Sequence, residues 1–103
     1  MRSVVFRYHV PVDDNLTIDL PVGARILTVQ EQCGYPYIWA LVNPDAPIER
    51  RTFRLAGTCN TIECHGELLY VGTFQLRGGA LVFHMFETRP DTAYLPMRGG
   101  ADR

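Results

Sequence analysis

Leu68-Leu-Tyr-Val-Gly-Thr-Phe-Gln-Leu76, Arg77-Gly78-Gly79 and Ala80-Leu-Val-Phe-His-Met-Phe-Glu87 form the stretch that decides the fold. Two runs rich in β-branched and aromatic residues flank a short turn, and glycine is the residue that accepts the positive φ such a turn needs. The stretch therefore reads as a β-hairpin. Nothing else in the chain offers a long apolar repeat of helical period, so the domain around the hairpin is read as β as well.

Working outward, period-two alternation recurs. Val4, Phe6, Tyr8 and Val10 alternate with Val5, Arg7 and His9, and the run closes at Pro11 and Asp13-Asp14-Asn15. Leu16, Ile18 and Leu20 alternate with Thr17 and Asp19 and lead into the turn-forming Pro21-Val22-Gly23. Ala24 to Gln32 reads as a third strand. Tyr37 to Val42 reads as a fourth, apolar on both faces and so the most central one. After Asn43-Pro44-Asp45-Ala46-Pro47, Glu49 to Ala56 alternates Arg51, Phe53 and Leu55 with Arg50, Thr52 and Arg54. Gly57 to Gly66 is polar and irregular, with room for at most one short helix between Asn60 and Glu67.

The expected fold class is all-β and mostly antiparallel: a seven-stranded small sandwich or partly open barrel. Residues 1–87 form the expected domain and residues 88–103 a loosely ordered C-terminal tail. Gly57 and Gly72, in the echoing Ala-Gly-Thr and Val-Gly-Thr, are the expected bulges.

At 103 residues, 47% of them hydrophobic and 20% charged, the chain has the composition of one ordinary globular domain. Its formal net charge of −1 gives no global pull toward nucleic acid or an anionic membrane. All ten of its Lys and Arg positions are arginine. GC-rich codon usage accounts for that bias, and forked guanidinium donors are a compatible second reason. No apolar run approaches the roughly 20 residues of a membrane span. The first ten residues lack the apolar core of a signal peptide, and three cysteines form an odd set. Both features point to a cytoplasmic protein with reduced thiols.

Candidate chemistry is sparse. Cys59-x4-Cys64-His65, with Cys33 or His84 as further donors, matches no common zinc spacing, so no metal or other cofactor is expected. Cys64 and His65 are neighbours, and adjacent residues of an extended chain face opposite ways. A thiol base would have to be His9 or His84. Ser3 is the single serine, and no phosphate-cradling glycine loop occurs. No catalytic residue is assigned. Arg50 with Arg54, and Arg7 with His9, each share a strand face. If those faces coincide they form a cationic patch near Tyr35, Tyr37 and Trp39 that suits a nucleotide or another phosphate-bearing ligand. The candidate ligand-binding set is Arg7, His9, Tyr37, Arg50 and Arg54, with Trp39 itself assigned to the core.

The blocks Leu16-Thr-Ile-Asp-Leu-Pro-Val-Gly-Ala-Arg-Ile-Leu-Thr-Val-Gln-Glu-Gln32, Ile38-Trp-Ala-Leu-Val42, Gly57-Thr58, Tyr70-Val-Gly-Thr-Phe-Gln-Leu76 and Gly78-Gly-Ala-Leu-Val-Phe-His84 resemble a family of small proteins of unknown function found mainly in bacteriophages, prophages and their bacterial hosts. The resemblance covers about residues 3–87 and carries no site residues. It implies a phage or mobile-element origin. The expected function is then a non-enzymatic binding protein, an antagonist of a host-defence system that binds a host protein or sequesters a nucleotide-like small molecule. The alternative is a small structural or assembly component of a phage particle. An exposed edge strand in so small a β domain adds a homodimer, or another homo-oligomer, to the expected partners.

Overall fold

The computed structural model describes residues 2–90. It contains seven strands: β1 (Val4–His9), β2 (Asn15–Pro21), β3 (Arg25–Gln32), β4 (Tyr35–Val42), β5 (Ile48–Gly57), β6 (Gly66–Leu76) and β7 (Leu81–Pro90). They form two antiparallel sheets, β1-β4-β3 and β2-β5-β7-β6. The all-β, seven-stranded expectation is met. The chain runs straight from β5 into β6 through turn and coil, with no helix between Asn60 and Glu67. The Arg77-Gly78-Gly79 turn is a single 3-10 turn with positive φ at all three positions. Strand β7 continues to Pro90, beyond the boundary expected at Glu87. The expected tail is otherwise outside the described residues. Among the described residues no helix is long and apolar enough to cross a membrane.

The inner faces of the two sheets meet in one core. Leu16, Ile18 and Leu20 of β2, Ile38, Ala40 and Val42 of β4, Phe53 and Leu55 of β5, Phe74 of β6 and Met85 of β7 are all buried there. β4 is the middle strand of its sheet, as expected, but only its even positions Pro36, Ile38, Ala40 and Val42 are buried. Tyr37, Trp39 and Leu41 point outward and are half-exposed, so Trp39 is not a core residue. Among the described residues no third layer covers that face.

The two edge strands β3 and β6 run close together without pairing, so the sandwich stays open and does not close into a barrel. A bulge in each strand shapes this seam. Leu27 is the extra residue between Ile26 and Thr28 of β3, and Val71 the extra one between Tyr70 and Gly72 of β6. Each insertion flips the residues after it to the other face, which turns Val29 and Gly72 inward. The bulge expected at Gly72 is thus present. The one expected at Gly57 is not, because Gly57 ends β5 inside a regular register with Phe83. A Cβ at Gly72 would lie 2.7 Å from Val29 Cγ1, inside contact distance, and Val29 is buried with a stiff β-branched side chain. Gly72→Ala is therefore expected to destabilise the domain by about 1–3 kcal/mol through overpacking. Adding Val29→Ala should give back part of that loss. Urea midpoints of the single and double variants check this, and additive losses would show that the seam is not tight.

Candidate functional site

The outer face of the β1-β4-β3 sheet follows from its register. His9 stands opposite Tyr37, Arg7 opposite Trp39 and Val5 opposite Leu41, while Thr28 and Gln30 flank Trp39 and Tyr37 from β3. Strand pleating places these side chains on one surface. The His9 ring lies 5.7 Å from Tyr37 at 74° and 6.4 Å from Tyr35. Tyr37 and Trp39 meet edge to face with centroids 6.2 Å apart. The Arg7 guanidinium carbon sits 4.1 Å above the Tyr37 ring, a cation–π contact. Its Nη1 then donates to Gln32 Oε1 at 2.5 Å. Arg7 thus reaches from β1 over β4 to β3, and its long side chain lies flat on the aromatic row.

Arg50 and Arg54 do not join this group. Their strand, β5, belongs to the other sheet, and they project from its outer face, away from the shared core. Arg50 donates from Nε to Asp19 Oδ1 at 3.0 Å; that hydrogen bond, and secondly the carboxylate charge, hold the guanidinium above the ordinary arginine range. Arg54 donates from Nη1 to the Glu63 carbonyl at 3.3 Å. Of the five expected ligand-binding residues, the structure brings together Arg7, His9 and Tyr37. It leaves Arg50 and Arg54 on the opposite side of the sandwich.

Cys33, Cys59 and Cys64 are all exposed. Among the described residues no group of three or more His, Cys, Asp or Glu side chains comes together as metal ligands do. His84 lies on the outer face of the four-stranded sheet. Its Nε2 is 2.8 Å from Thr58 Oγ1 and its Nδ1 is 2.9 Å from Thr73 Oγ1, which in turn is 2.7 Å from the Tyr70 hydroxyl. Both ring nitrogens are engaged with threonines, so His84 is not the base of a cysteine thiol here.

The sequence placed Tyr35 and Trp39 near the patch but left both out of the candidate set, Trp39 as a core residue. They complete the aromatic row, and the signal for that was the alternation of large Tyr35, Tyr37, Trp39 and Leu41 with smaller Pro36, Ile38, Ala40 and Val42. Asn15, Thr88 and Arg89 gather around Arg54, which no local pattern shows, because they come from strands far apart in the chain.

Comparison with known proteins adds a family. The family described as Domain of unknown function (DUF7352) matches residues 1–95. No curated protein and no solved structure matches the chain.

Proposed function

The chain belongs to the DUF7352 family, and on that premise we propose that it is a non-enzymatic binding protein whose recognition surface is the outer face of the β1-β4-β3 sheet. The observation that carries this reading is the row Tyr35-Tyr37-Trp39 with Arg7 laid over Tyr37 and His9 against its edge. Tyr, Trp and Arg are the residue types that dominate binding energy in protein interfaces. Among the described residues they lie on an open pleated surface rather than in a cavity. A small molecule is normally enclosed on most of its surface. The flat face therefore favours a protein partner over sequestration of a nucleotide-like molecule, and a host protein is the partner that a phage or mobile-element origin would supply.

A specific observation also supports the second reading, assembly into a particle or homo-oligomer. β1 is a sheet edge, and it carries Val5 and Phe6 at 48% and 42% exposure. No Lys or Pro blunts that edge, so a strand from a second copy could extend the sheet.

One experiment separates the readings. Tagged wild-type chain, Arg7→Ala/Tyr37→Ala/Trp39→Ala and Arg50→Ala/Arg54→Ala are used to capture partners from host-cell extract, and each complex is weighed by native mass spectrometry. The first reading expects a stoichiometric host protein that the aromatic-face variant loses by at least about 100-fold in affinity, two hot-spot side chains' worth, while the arginine variant keeps it. Capture unaffected by the aromatic-face substitutions would refute that reading. Higher-order masses that grow with concentration, with no host protein, would favour assembly.

A further inference from the structure

Strand β5 carries three arginines, and they are not equally neutralised. Arg50 faces Asp19 and Arg51 faces Glu87, each within 3.0 Å of a carboxylate oxygen. Arg54 has no carboxylate partner among the described residues. Its one hydrogen bond is the 3.3 Å contact to the Glu63 carbonyl. Its Nε is shielded from water and unpartnered, the one buried side-chain nitrogen or oxygen in that condition among the described residues. Native proteins leave few such donors unmet, and those they leave call for an explanation.

Arg54 lines a cavity of about 280 Å³ at the end of the four-stranded sheet. Asn15 enters it from β2, Thr88 and Arg89 from β7, and Glu63-Cys64-His65 from the β5–β6 connection. The side chains gathered there include two guanidinium groups and the Asn15 amide, against the one acidic residue Glu63, while the Thr88 hydroxyl is engaged with Thr52. Arg89 is held only loosely: its Nη1 is 3.6 Å from Glu67 Oε1, and both side chains are about two-thirds exposed. A pair that exposed is weak, so Arg89 is available to turn toward an anion.

We infer that this cavity binds a phosphoryl-type oxyanion of a small soluble molecule, with Arg54 as the principal donor and Arg89 as the closing one. Guanidinium forks match the tetrahedral oxygens of phosphate in pairs, and charge-assisted hydrogen bonds are the strong ones. An anion that draws the Arg54 head group toward itself gives its underused donors acceptors. Size narrows the ligand. At about 280 Å³ the space is at the lower end of ligand sites, which suits a phosphate or pyrophosphate group rather than a whole dinucleotide. A second cavity of about 340 Å³ shares the Thr88–Arg89 wall and contains Arg50, and it leaves room for a second phosphate or an organic extension. The site lies on the face opposite the aromatic row and is independent of the reading given for that row.

The test is isothermal titration calorimetry of the full chain with inorganic pyrophosphate, and separately with inorganic phosphate, in low-salt buffer. Saturable binding of one anion per chain is expected, tighter for pyrophosphate. Arg54→Ala should weaken it by at least about tenfold, and Arg54→Lys by a similar factor, because lysine keeps the charge but not the fork. Arg89→Ala changes a mostly exposed side chain, should leave the fold intact by circular dichroism, and should weaken binding about three- to tenfold. Arg2→Ala, which removes an exposed guanidinium paired with Asp45 outside the cavity lining, should bind as wild type does. Absence of saturable binding, or Arg54→Ala and Arg89→Ala variants that bind like wild type, would overturn the inference. Loss on Arg7→Ala alone would overturn it too, by moving the anion to the aromatic face.

Discussion

Phe53→Ala is expected to remove most of the stability of the domain. Phe53 is 1% exposed and is the largest fully buried side chain among the described residues. On β5 it pairs with Leu16 of β2 and Glu87 of β7, so three strands of one sheet meet at it. Its ring belongs to the same buried cluster as Ile38, Ala40 and Val42 of β4. Truncation removes the transfer energy of the ring and leaves a cavity between two sheets that cannot easily collapse, a loss of about 3–5 kcal/mol. Domains of this size hold roughly 5–15 kcal/mol in total, so the variant should be marginal at 25 °C. Urea unfolding followed by Trp39 fluorescence checks it. The midpoint should fall by about 2 M or more, or the protein should be unfolded without denaturant. Phe6→Ala is the control, since Phe6 is 42% exposed and lies outside the buried cluster. It should cost no more than about 1 kcal/mol. A Phe53→Ala loss no larger than the Phe6→Ala loss would mean that the two sheets do not pack through β5.

The same residues show what the sequence could and could not reveal. The split of β5 into Arg51-Phe53-Leu55 and Arg50-Thr52-Arg54 was legible, because it needs only the pleat of one strand. The hairpin of β6 and β7 was legible for a similar local reason: its turn chemistry sits between its two strands. Which strands share a sheet was not. Arg7 and Arg54 belong to β1 and β5, and only the orders β1-β4-β3 and β2-β5-β7-β6 decide that they face opposite ways. Those orders depend on long-range pairing that no local pattern encodes. β4 was misread on one face because apolar composition was taken as burial. Tyr37, Trp39 and Leu41 are apolar enough for a core, but no element among the described residues packs over them. The bulge at Leu27 was hidden because Arg-Ile-Leu-Thr-Val alternates acceptably in either register. Its position is fixed by Val29 meeting Gly72 across the seam.

The inward-facing charge pair between β5 and β7 gives the other large effect. Arg51 donates from Nε and Nη2 to the two carboxylate oxygens of Glu87, both at 2.7 Å, and from Nη1 to the Ala24 carbonyl at 2.6 Å. Side-chain exposures of 18% and 21% mark the pair as mostly withdrawn from water. The hydrogen bond to Glu87 leads in raising the Arg51 guanidinium above the ordinary arginine range, so the cation persists at every working pH. The Ala24 contact adds a role in topology. Ala24 ends the turn that carries the chain from β2 in one sheet to β3 in the other, so Arg51 fastens the crossover to both. Glu87→Ala leaves a desolvated guanidinium without its partner and should cost about 2–3 kcal/mol, near the upper range for a hydrogen bond to a charged group and below that of a fully buried pair. Asp19→Ala breaks the pair with Arg50, where both side chains are more than half exposed, and should leave the midpoint almost unchanged. The double replacement Arg51→Met/Glu87→Leu removes both charges together. Its midpoint should lie closer to wild type than that of Glu87→Ala, because no charge is left stranded. Salt sharpens the comparison: 0.5 M NaCl should erase the Asp19 effect and leave most of the Glu87 effect, since screening acts on exposed charges far more than on shielded ones. If Glu87→Ala and Asp19→Ala proved equally mild, the Arg51 fork would be ornament on the inner face rather than the tie between the two sheets.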